Sequence, residues 1–268
     1  MITFSRLGRY GNLGNSMFQL AATVGIAAKL NFEVKLPRNP TYFDTNYNCN
    51  NISIFDGFDV NIPVLTVEEC RNIKNFYTEP HFHYDDKAFE IRDNTDLTGY
   101  FQSEKYFLPV KSLIKKAFTF KKEIIEKSNN LFKEYNIEPS QTVSLHIRRG
   151  DYVVKQEYHP LQDSSYYQAA FKKAKLKNVL IFSDDVPWCQ KNIQGSNIYY
   201  TNTSNSFADM RAMSLCKNNI IVNSTFGWWG AWLNEDPDKV VIAPTKWFGP
   251  AYSNIITNDI LPEQWIKI

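Results

Sequence analysis

A chain of 268 residues, 43% of them hydrophobic, has enough apolar surface for one large domain or two compact ones. Its formal net charge of +2 excludes a global field for nucleic acid or an anionic membrane, and no basic face or nucleic-acid module stands out. The four cysteines, Cys49, Cys70, Cys189 and Cys216, are spaced too widely for a CxxC zinc site or a dense disulfide framework and read as reduced thiols.

Residues 1–4 predict a strand. It runs into Gly8-Arg9-Tyr10-Gly11-Asn12-Leu13-Gly14-Asn15, a glycine- and asparagine-rich turn, and an apolar helix is expected over 16–30. That helix is short for a membrane span and carries Gln19 and Thr23, so it reads as buried. A second strand over 32–36, closed by Pro37 and Pro40, completes the opening of a βαβ unit. Residues 40–100 are irregular. One long helix is expected from about 104 to 135, and 136–141, with Pro139, reads as an inter-domain link.

The second half alternates more cleanly. Strands are expected at 142–147, 178–182, 198–200, 219–222 and 240–243, and helices at 164–174, 187–192, 207–216 and 226–233. Polar residues gather just after the strand ends, where ligands bind in open parallel sheets. The expected architecture is α/β, with domains at 1–138 and 139–268 facing each other across a cleft and the C-terminal tail packing back on the first.

Several constellations can carry chemistry. In His146-Ile147-Arg148-Arg149-Gly150-Asp151-Tyr152, strand alternation puts His146 and Arg148 on one face. Two arginines at a strand end can grip a pyrophosphate through their planar donor forks, with Asp151 holding one in place; a structural ion-pair cluster is the alternative. Gly11, Asn12, Gly14 and Asn15 let backbone approach a phosphate at a helix N-terminus, although the spacing is neither the dinucleotide fingerprint nor a P-loop, and a plain βα turn would look the same. Asn223, Ser224, Thr225 and Phe226 sit between a buried strand and a helix; the hydroxyls can cap that helix or bind phosphate oxygens. Trp228 and Trp232, four apart, share a core face. Asp184-Asp185 can be read as a metal bridge to a diphosphate or, preferably, as a turn that caps the helix at Pro187. Asp209 has the chemistry to accept from the N1–H and N2–H₂ edge of guanine, but local chemistry alone favours an exposed helix aspartate. Glu157 is a candidate general base, weighed against a surface loop glutamate.

Taken together, these segments resemble the α-1,2-fucosyltransferases, the eleventh glycosyltransferase family. The resemblance rests on Gly11-Asn12-Leu13-Gly14-Asn15-Ser16-Met17-Phe18-Gln19, Gly99-Tyr100-Phe101-Gln102-Ser103-Glu104-Lys105-Tyr106-Phe107, the arginine motif, Ile181-Phe182-Ser183-Asp184-Asp185, and the stretch 223–234 with its Trp228-Trp229-Gly230-Ala231-Trp232. Ser16 departs from it, since the family usually has glutamine there. The resemblance implies a GT-B fold of two Rossmann-like domains, inversion from GDP-β-L-fucose, and no cofactor or essential metal. It further implies that Arg148 binds the β-phosphate, that His146 and Asp209 read guanine, that Ser224 and Thr225 touch the diphosphate, and that the 11–15 loop closes on it. Arg149, Asp184, Asn223 and Phe226 complete the expected donor contacts. Arg148, Asp151 and Glu157 are the expected catalytic set. The expected partners are GDP-fucose and a glycan, the expected setting is the cytoplasm at the inner face of the membrane, and no nucleic acid is expected.

Overall fold

The computed structural model describes residues 1–38, 52–175, 177–201 and 203–268, so the expected boundary at Pro40 and the thiol of Cys49 lie outside the described residues. Two compact units emerge: Met1–Thr119 with Ile255–Pro262, and Phe120–Asn254 with Glu263–Ile268.

The first unit is built on a parallel sheet in the order β1-β3-β2, with β1 at Ile2–Thr3, β2 at Asn75–Thr78 and β3 at Thr95–Thr98. Helix α1, Leu13–Leu30, is almost wholly buried, as its apolar sequence predicts. It starts earlier than expected because the Asn12 carbonyl already accepts the Asn15 and Ser16 N–H groups, at 2.9 and 3.1 Å. Gly14 and Asn15 therefore belong to its first turn, not to the loop. Gly25 is required inside it: a Cβ there would lie 2.1 Å from the Tyr106 carbonyl oxygen. The strand expected at 32–36 is reduced to single bridges, Val34 to Ile2 and Leu36 to Val64, because the segment changes partner within three residues. Short helices α2, Ile54–Gly57, and α3, Val67–Arg71, each start at a capping box, on Ser53 with Asp56 and on Thr66 with Glu69.

The single helix expected over 104–135 is broken. Pro109 confines 104–110 to short 3₁₀ turns, and only then does α4, Lys111–Ala117, begin. Phe118 ends α4 by packing on Phe58, with ring centroids 5.1 Å apart, while the Thr119 carbonyl takes the Asp59 N–H at 2.8 Å. Helix α5, Lys122–Glu134, belongs to the second unit, where Arg211 donates to Ser128 at 2.7 Å and to Asn129 at 3.0 Å. The division thus falls between Thr119 and Phe120 rather than at 138.

The second unit carries a six-stranded parallel sheet: β4 Thr142–Ile147, β5 Asn178–Ser183, β6 Ile198–Tyr200, β7 Asn218–Ile220, β8 Val241–Ala243 and β9 Ile266–Lys267. Its order, β6-β5-β4-β7-β8-β9, is the 3-2-1-4-5-6 order of a dinucleotide-binding sheet. Helices α6 Ser164–Ala174, α7 Val186–Asn192, α8 Ser206–Leu215 and α9 Thr225–Trp232 connect the strands. Alternation along the strands builds two cores. Val143, Leu145, Ile147 and Ile181 face the α6 residues Tyr166, Tyr167 and Ala170. Leu180 and Phe182 face Leu131 and Phe132 of α5 and Ala212 and Met213 of α8. Trp228 and Trp232 are buried and stacked at 6.1 Å, and Trp265, just before the unanticipated β9, packs on Trp228 at 5.5 Å.

Candidate active site

In the second unit the strand order reverses between β4 and β7. Ligands of open α/β sheets sit outside the strand ends at such a switch point. The residues there are His146 near the end of β4, Arg148 to Asp151 just after it, and Asn223 to Phe226 after β7.

Arg148 is held by two carboxylates. One terminal nitrogen lies 2.7 Å from Asp151 and the other 2.9 Å from Asp184, with the Tyr152 ring 5.6 Å away. Arg149 pairs with Asp185 at 2.9 Å, and its guanidinium lies 4.0 Å over Trp188. Asp184 also accepts the Arg149 backbone N–H at 2.8 Å, and a Cβ at Gly150 would come within 2.5 Å of Asp184, so glycine is needed for that approach. Asp185 caps α7 by accepting the Trp188 N–H at 3.1 Å. Both aspartates are thus spent on the arginines and the cap. Lys155 reaches Asp151 at 3.2 Å. Burial pushes the Asp151 carboxyl up, but Arg148 and Lys155 outweigh it and hold it below the usual range. Three cations face three carboxylates here, so attraction for a diphosphate comes from directed N–H donors, not net charge. Each terminal nitrogen of Arg148 keeps a second N–H.

His146 lies on the opposite face of β4 from Leu145 and is 5% exposed. Its ring packs on Phe226 at 5.3 Å, and Nδ1 faces the first turn of α9, only 2.7 Å from where a Cβ on Gly227 would stand. That buried Nδ1 has no hydrogen-bond partner among the described residues. Burial first, and Arg148 second, push the imidazole down to about 3, so it is neutral at physiological pH.

Ser224 is the N-cap residue of α9 and is buried, yet its side chain makes no capping bond. Thr225 and Phe226, half-buried, form the first turn. Asn223 is structural: its amide donates to the Trp247 carbonyl at 3.0 Å and accepts from Gln162 at 3.1 Å, and its carbonyl takes the Tyr152 hydroxyl at 3.2 Å. Asp209 is not the exposed helix aspartate that local chemistry favours. It is half-buried on α8, accepts the Thr203 hydroxyl at 2.7 Å, and burial pushes it up to about 6. Glu157 is exposed, and its carboxylate makes no hydrogen bond or ion pair among the described residues; only its backbone is fixed, by the Ala251 N–H at 2.8 Å.

In the first unit, Gln19 organises the glycine-rich loop. Fully buried, it accepts the Gly8 N–H at 2.9 Å and donates to the carbonyls of Tyr10 and Gly99, each at 3.3 Å. Gly11 has φ +84°, and a Cβ there would strike the Asn15 amide at 1.8 Å. Asn15 in turn accepts from Gln102 at 3.2 Å. Asn12 is exposed at the N-cap position of α1, where its side chain makes no capping bond.

The model of the family described as glycosyl transferase family 11 matches residues 9–268. The chain belongs to that family. It is similar to the O-antigen biosynthesis glycosyltransferase WbnK of Escherichia coli, 29% identical over 96% of this chain and 98% of that one. An alpha-1,2-colitosyltransferase of Escherichia coli is 31% identical over 96% of each chain. The Bos taurus galactoside 2-alpha-L-fucosyltransferase SEC1 is 25% identical over 83% of this chain and 62% of its own. Among solved structures, the Bradyrhizobium NodZ alpha-1,6-fucosyltransferase soaked with GDP-fucose superposes with a TM-score of 0.54 at 16% identity, covering 87% of this chain and 92% of that one. POFUT1 in complex with GDP gives 0.57 at 12% identity, covering 90% and 97%. These likenesses bear out the expected α/β fold of GT-B type. The protein is a glycosyltransferase.

Proposed function

We propose that this glycosyltransferase moves L-fucose from GDP-β-L-fucose to a sugar hydroxyl, O2 of a galactoside, with inversion and without a metal. The observation that carries the reading is Arg148, fixed between Asp151 and Asp184 at the switch point of the second unit's sheet. As the bond from the anomeric carbon to the diphosphate breaks, negative charge grows on the β-phosphate. A preset guanidinium beside that oxygen stabilises the charge without reorganising. Arg149 and the N-terminus of α9, with Ser224 and Thr225, supply further donors to the diphosphate. Asp209 and neutral His146 take the base: a carboxylate can accept both N–H groups of the guanine edge. The aspartates that would bridge a metal are occupied by arginines, which supports charge neutralisation by guanidinium. The fucosyltransferase and O-antigen names among the relatives support fucose as the donor sugar and a surface glycan as the acceptor. Among the described residues no helix is long and apolar enough to cross a membrane, and action at the inner membrane face would be peripheral.

A second reading of the donor has its own support, since one relative is named a colitosyltransferase. Colitose is fucose without the 3-hydroxyl, and it would use the same diphosphate contacts. GDP release from GDP-fucose and from GDP-colitose, with excess EDTA and a panel of β-galactosides, tests both. Acceptor-dependent release from GDP-fucose that survives EDTA supports the proposal. Turnover of GDP-colitose alone moves the donor assignment, and loss of turnover in EDTA refutes the metal-free mechanism.

A further inference from the structure

The carboxylates of Asp151 and Asp184 grip Arg148 at its two ends, one on each terminal nitrogen. A tilt of the guanidinium about the line between those nitrogens keeps both ion pairs, yet it swings the remaining N–H groups out of their direction. A preset fork needs a further restraint against that tilt. Tyr152 is placed to give it. The Arg148 guanidinium carbon lies over the Tyr152 ring, 5.6 Å from the centroid, inside the roughly 6 Å over which an aromatic face attracts a cation. An aromatic face suits this position because, unlike a third carboxylate, it adds no net negative charge to a site that takes a diphosphate.

The ring is itself held by several groups, all within the second unit. Its hydroxyl donates to the Asn223 carbonyl at 3.2 Å, which ties the loop after β4 to the turn before α9 across the switch point. Burial pushes that phenol up to about 12, so it keeps its proton and donates. His159 stacks on the ring, with centroids 4.7 Å apart and 15° between the planes. Burial, working against Asp151, lowers the His159 imidazole, so a neutral ring stands here and does not repel Arg148. Phe248 and Tyr252 pack on His159 at 5.8 and 6.2 Å. Backbone bonds fix the His159 loop to the same wall: the Gly249 N–H donates to the Tyr158 carbonyl and the Ala251 N–H to the Glu157 carbonyl, each at 2.8 Å. A Cβ at Gly249 would stand 2.4 Å from that Glu157 oxygen, so the approach needs glycine.

We propose that Tyr152 is a positioning residue of the donor site: its ring holds the Arg148 guanidinium in the attitude that meets the β-phosphate, and its hydroxyl keeps that ring in register with the Asn223–Phe226 turn. The inference rests on the donor reading above, in which Arg148 binds the β-phosphate. Tyr152 touches no reacting atom in this role and acts through Arg148. His159 backs the ring, and Gln162, from the same loop, steadies the Asn223 end by donating to its side-chain oxygen at 3.1 Å. The segment 152–162 therefore supports both walls of the switch point, the arginine on one side and the α9 turn on the other.

The test is calorimetry on the full chain with GDP and with GMP, which differ by the β-phosphate. The ratio of the two affinities reads the grip on that phosphate, and the GMP affinity reads the rest of the site and the fold. Wild type should prefer GDP, and Arg148→Ala should remove most of that preference. Tyr152→Leu should cut the preference by about fivefold to tenfold and leave GMP affinity within about twofold. Tyr152→Phe, which keeps the ring and loses the tie to Asn223, should lose only about twofold to threefold. In an Arg148→Ala background Tyr152→Leu should change the ratio by less than about twofold, because the group it acts through is gone. Wild-type preference in Tyr152→Leu overturns the proposal. Equal losses for GDP and GMP, or a loss that persists in full without Arg148, make Tyr152 a support of the fold and overturn it too. If Tyr152→Leu fails to fold, Tyr152→Phe decides: a lost preference that vanishes in the Arg148→Ala background supports the proposal, and no loss overturns it. An Arg148→Ala protein that still prefers GDP as wild type does sinks the reading of Arg148 and the proposal with it, whereas a loss in Arg148→Ala beside an indifferent Tyr152→Leu sinks only the positioning role.

Discussion

Replacing Arg148 with alanine separates what the residue does for catalysis from what it does for the fold. The side chain is 29% exposed, and its partners Asp151 and Asp184 are 42% and 26% exposed. Ion pairs this open to water contribute about 0–1 kcal/mol each. Asp184 keeps the Arg149 N–H after the substitution, and Asp151 keeps Lys155. Arg148→Ala should therefore cost no more than about 2 kcal/mol of stability. The barrier should suffer more. Removing one fixed donor from a developing oxyanion costs about 3–4 kcal/mol, a hundredfold or more in kcat. Arg148→Lys keeps the charge but loses the fork that reaches two carboxylates at once, so most of the rate should still be lost. Single-turnover GDP release from a saturated donor complex measures the chemical step, and urea denaturation measures the fold. If Arg148→Ala keeps most of its turnover, the electrostatic reading of the site is wrong. If turnover falls only in proportion to the folded fraction, Arg148 is a structural ion-pair residue.

Asp209→Asn should weaken GDP by about 1.5–3 kcal/mol, the loss of a charged acceptor, while changing IDP, which lacks the 2-amino group, by less; equal losses by calorimetry would take Asp209 away from guanine. Gly227→Ala would place a Cβ 2.7 Å from the buried His146 ring, so it should cost about 1–3 kcal/mol of stability and disturb the α9 N-terminus together with GDP binding. An alanine variant with wild-type GDP affinity and midpoint would show that the ring gives way. His146 also makes stability depend on pH. Burial, then Arg148, depress its pKa from 6.5 to about 3, so the unfolded chain takes the proton first as pH falls. The contribution is complete above about pH 6.5 and is lost towards pH 3, with a slope of at most about 1.4 kcal/mol per pH unit. Urea midpoints of His146→Leu should fall less steeply in that window than those of wild type, and parallel curves would refute the burial argument. Glu79 and Asp209, both raised, act with the opposite sign, so the comparison must be between variants and not between pH values alone.

What the sequence made legible was contiguous. The strand at 142–147, the helix at 164–174 and the strand at 198–200 coincide with β4, α6 and β6 because alternation and periodicity are local properties. The arginine motif is equally plain, and Asp151, three residues from Arg148, is legible as its partner. The partnership of Arg148 and Arg149 with Asp184 and Asp185 spans two strands, and the chain carries no local sign of it. The neutral, orphaned state of His146 depends on Phe226 and Gly227, which arrive from the far side of the switch point. The Glu79 carboxylate likewise has partners that no local pattern reveals, since Tyr100 and Phe101 meet it only once β2 and β3 pair.

The order of the second sheet follows the same logic. Alternating strands and helices predict a parallel sheet, but not that β7 lies beside β4. A buried polar network specifies that neighbour. In the β4–β7 register Ser144 stands opposite Asn219, whose amide donates to the Ser144 hydroxyl at 2.7 Å and to the Met213 carbonyl at 2.8 Å. Asn234 donates to the Asn219 side-chain carbonyl at 2.8 Å and to the Cys216 carbonyl at 2.7 Å. A slip of one residue would leave Asn219 facing Leu145 or Val143, with buried amide groups unpaired at about 1–3 kcal/mol each. Apolar residues at these positions would pack, but they would not distinguish one register from the next. The network therefore holds β7 level with β4 and brings the Asn223–Phe226 turn to the height of His146 and Arg148. Asn219→Leu should accordingly lower GDP affinity although Asn219 itself lies in the buried core below the strand ends. A variant that binds GDP as wild type does would show that apolar packing alone sets the register.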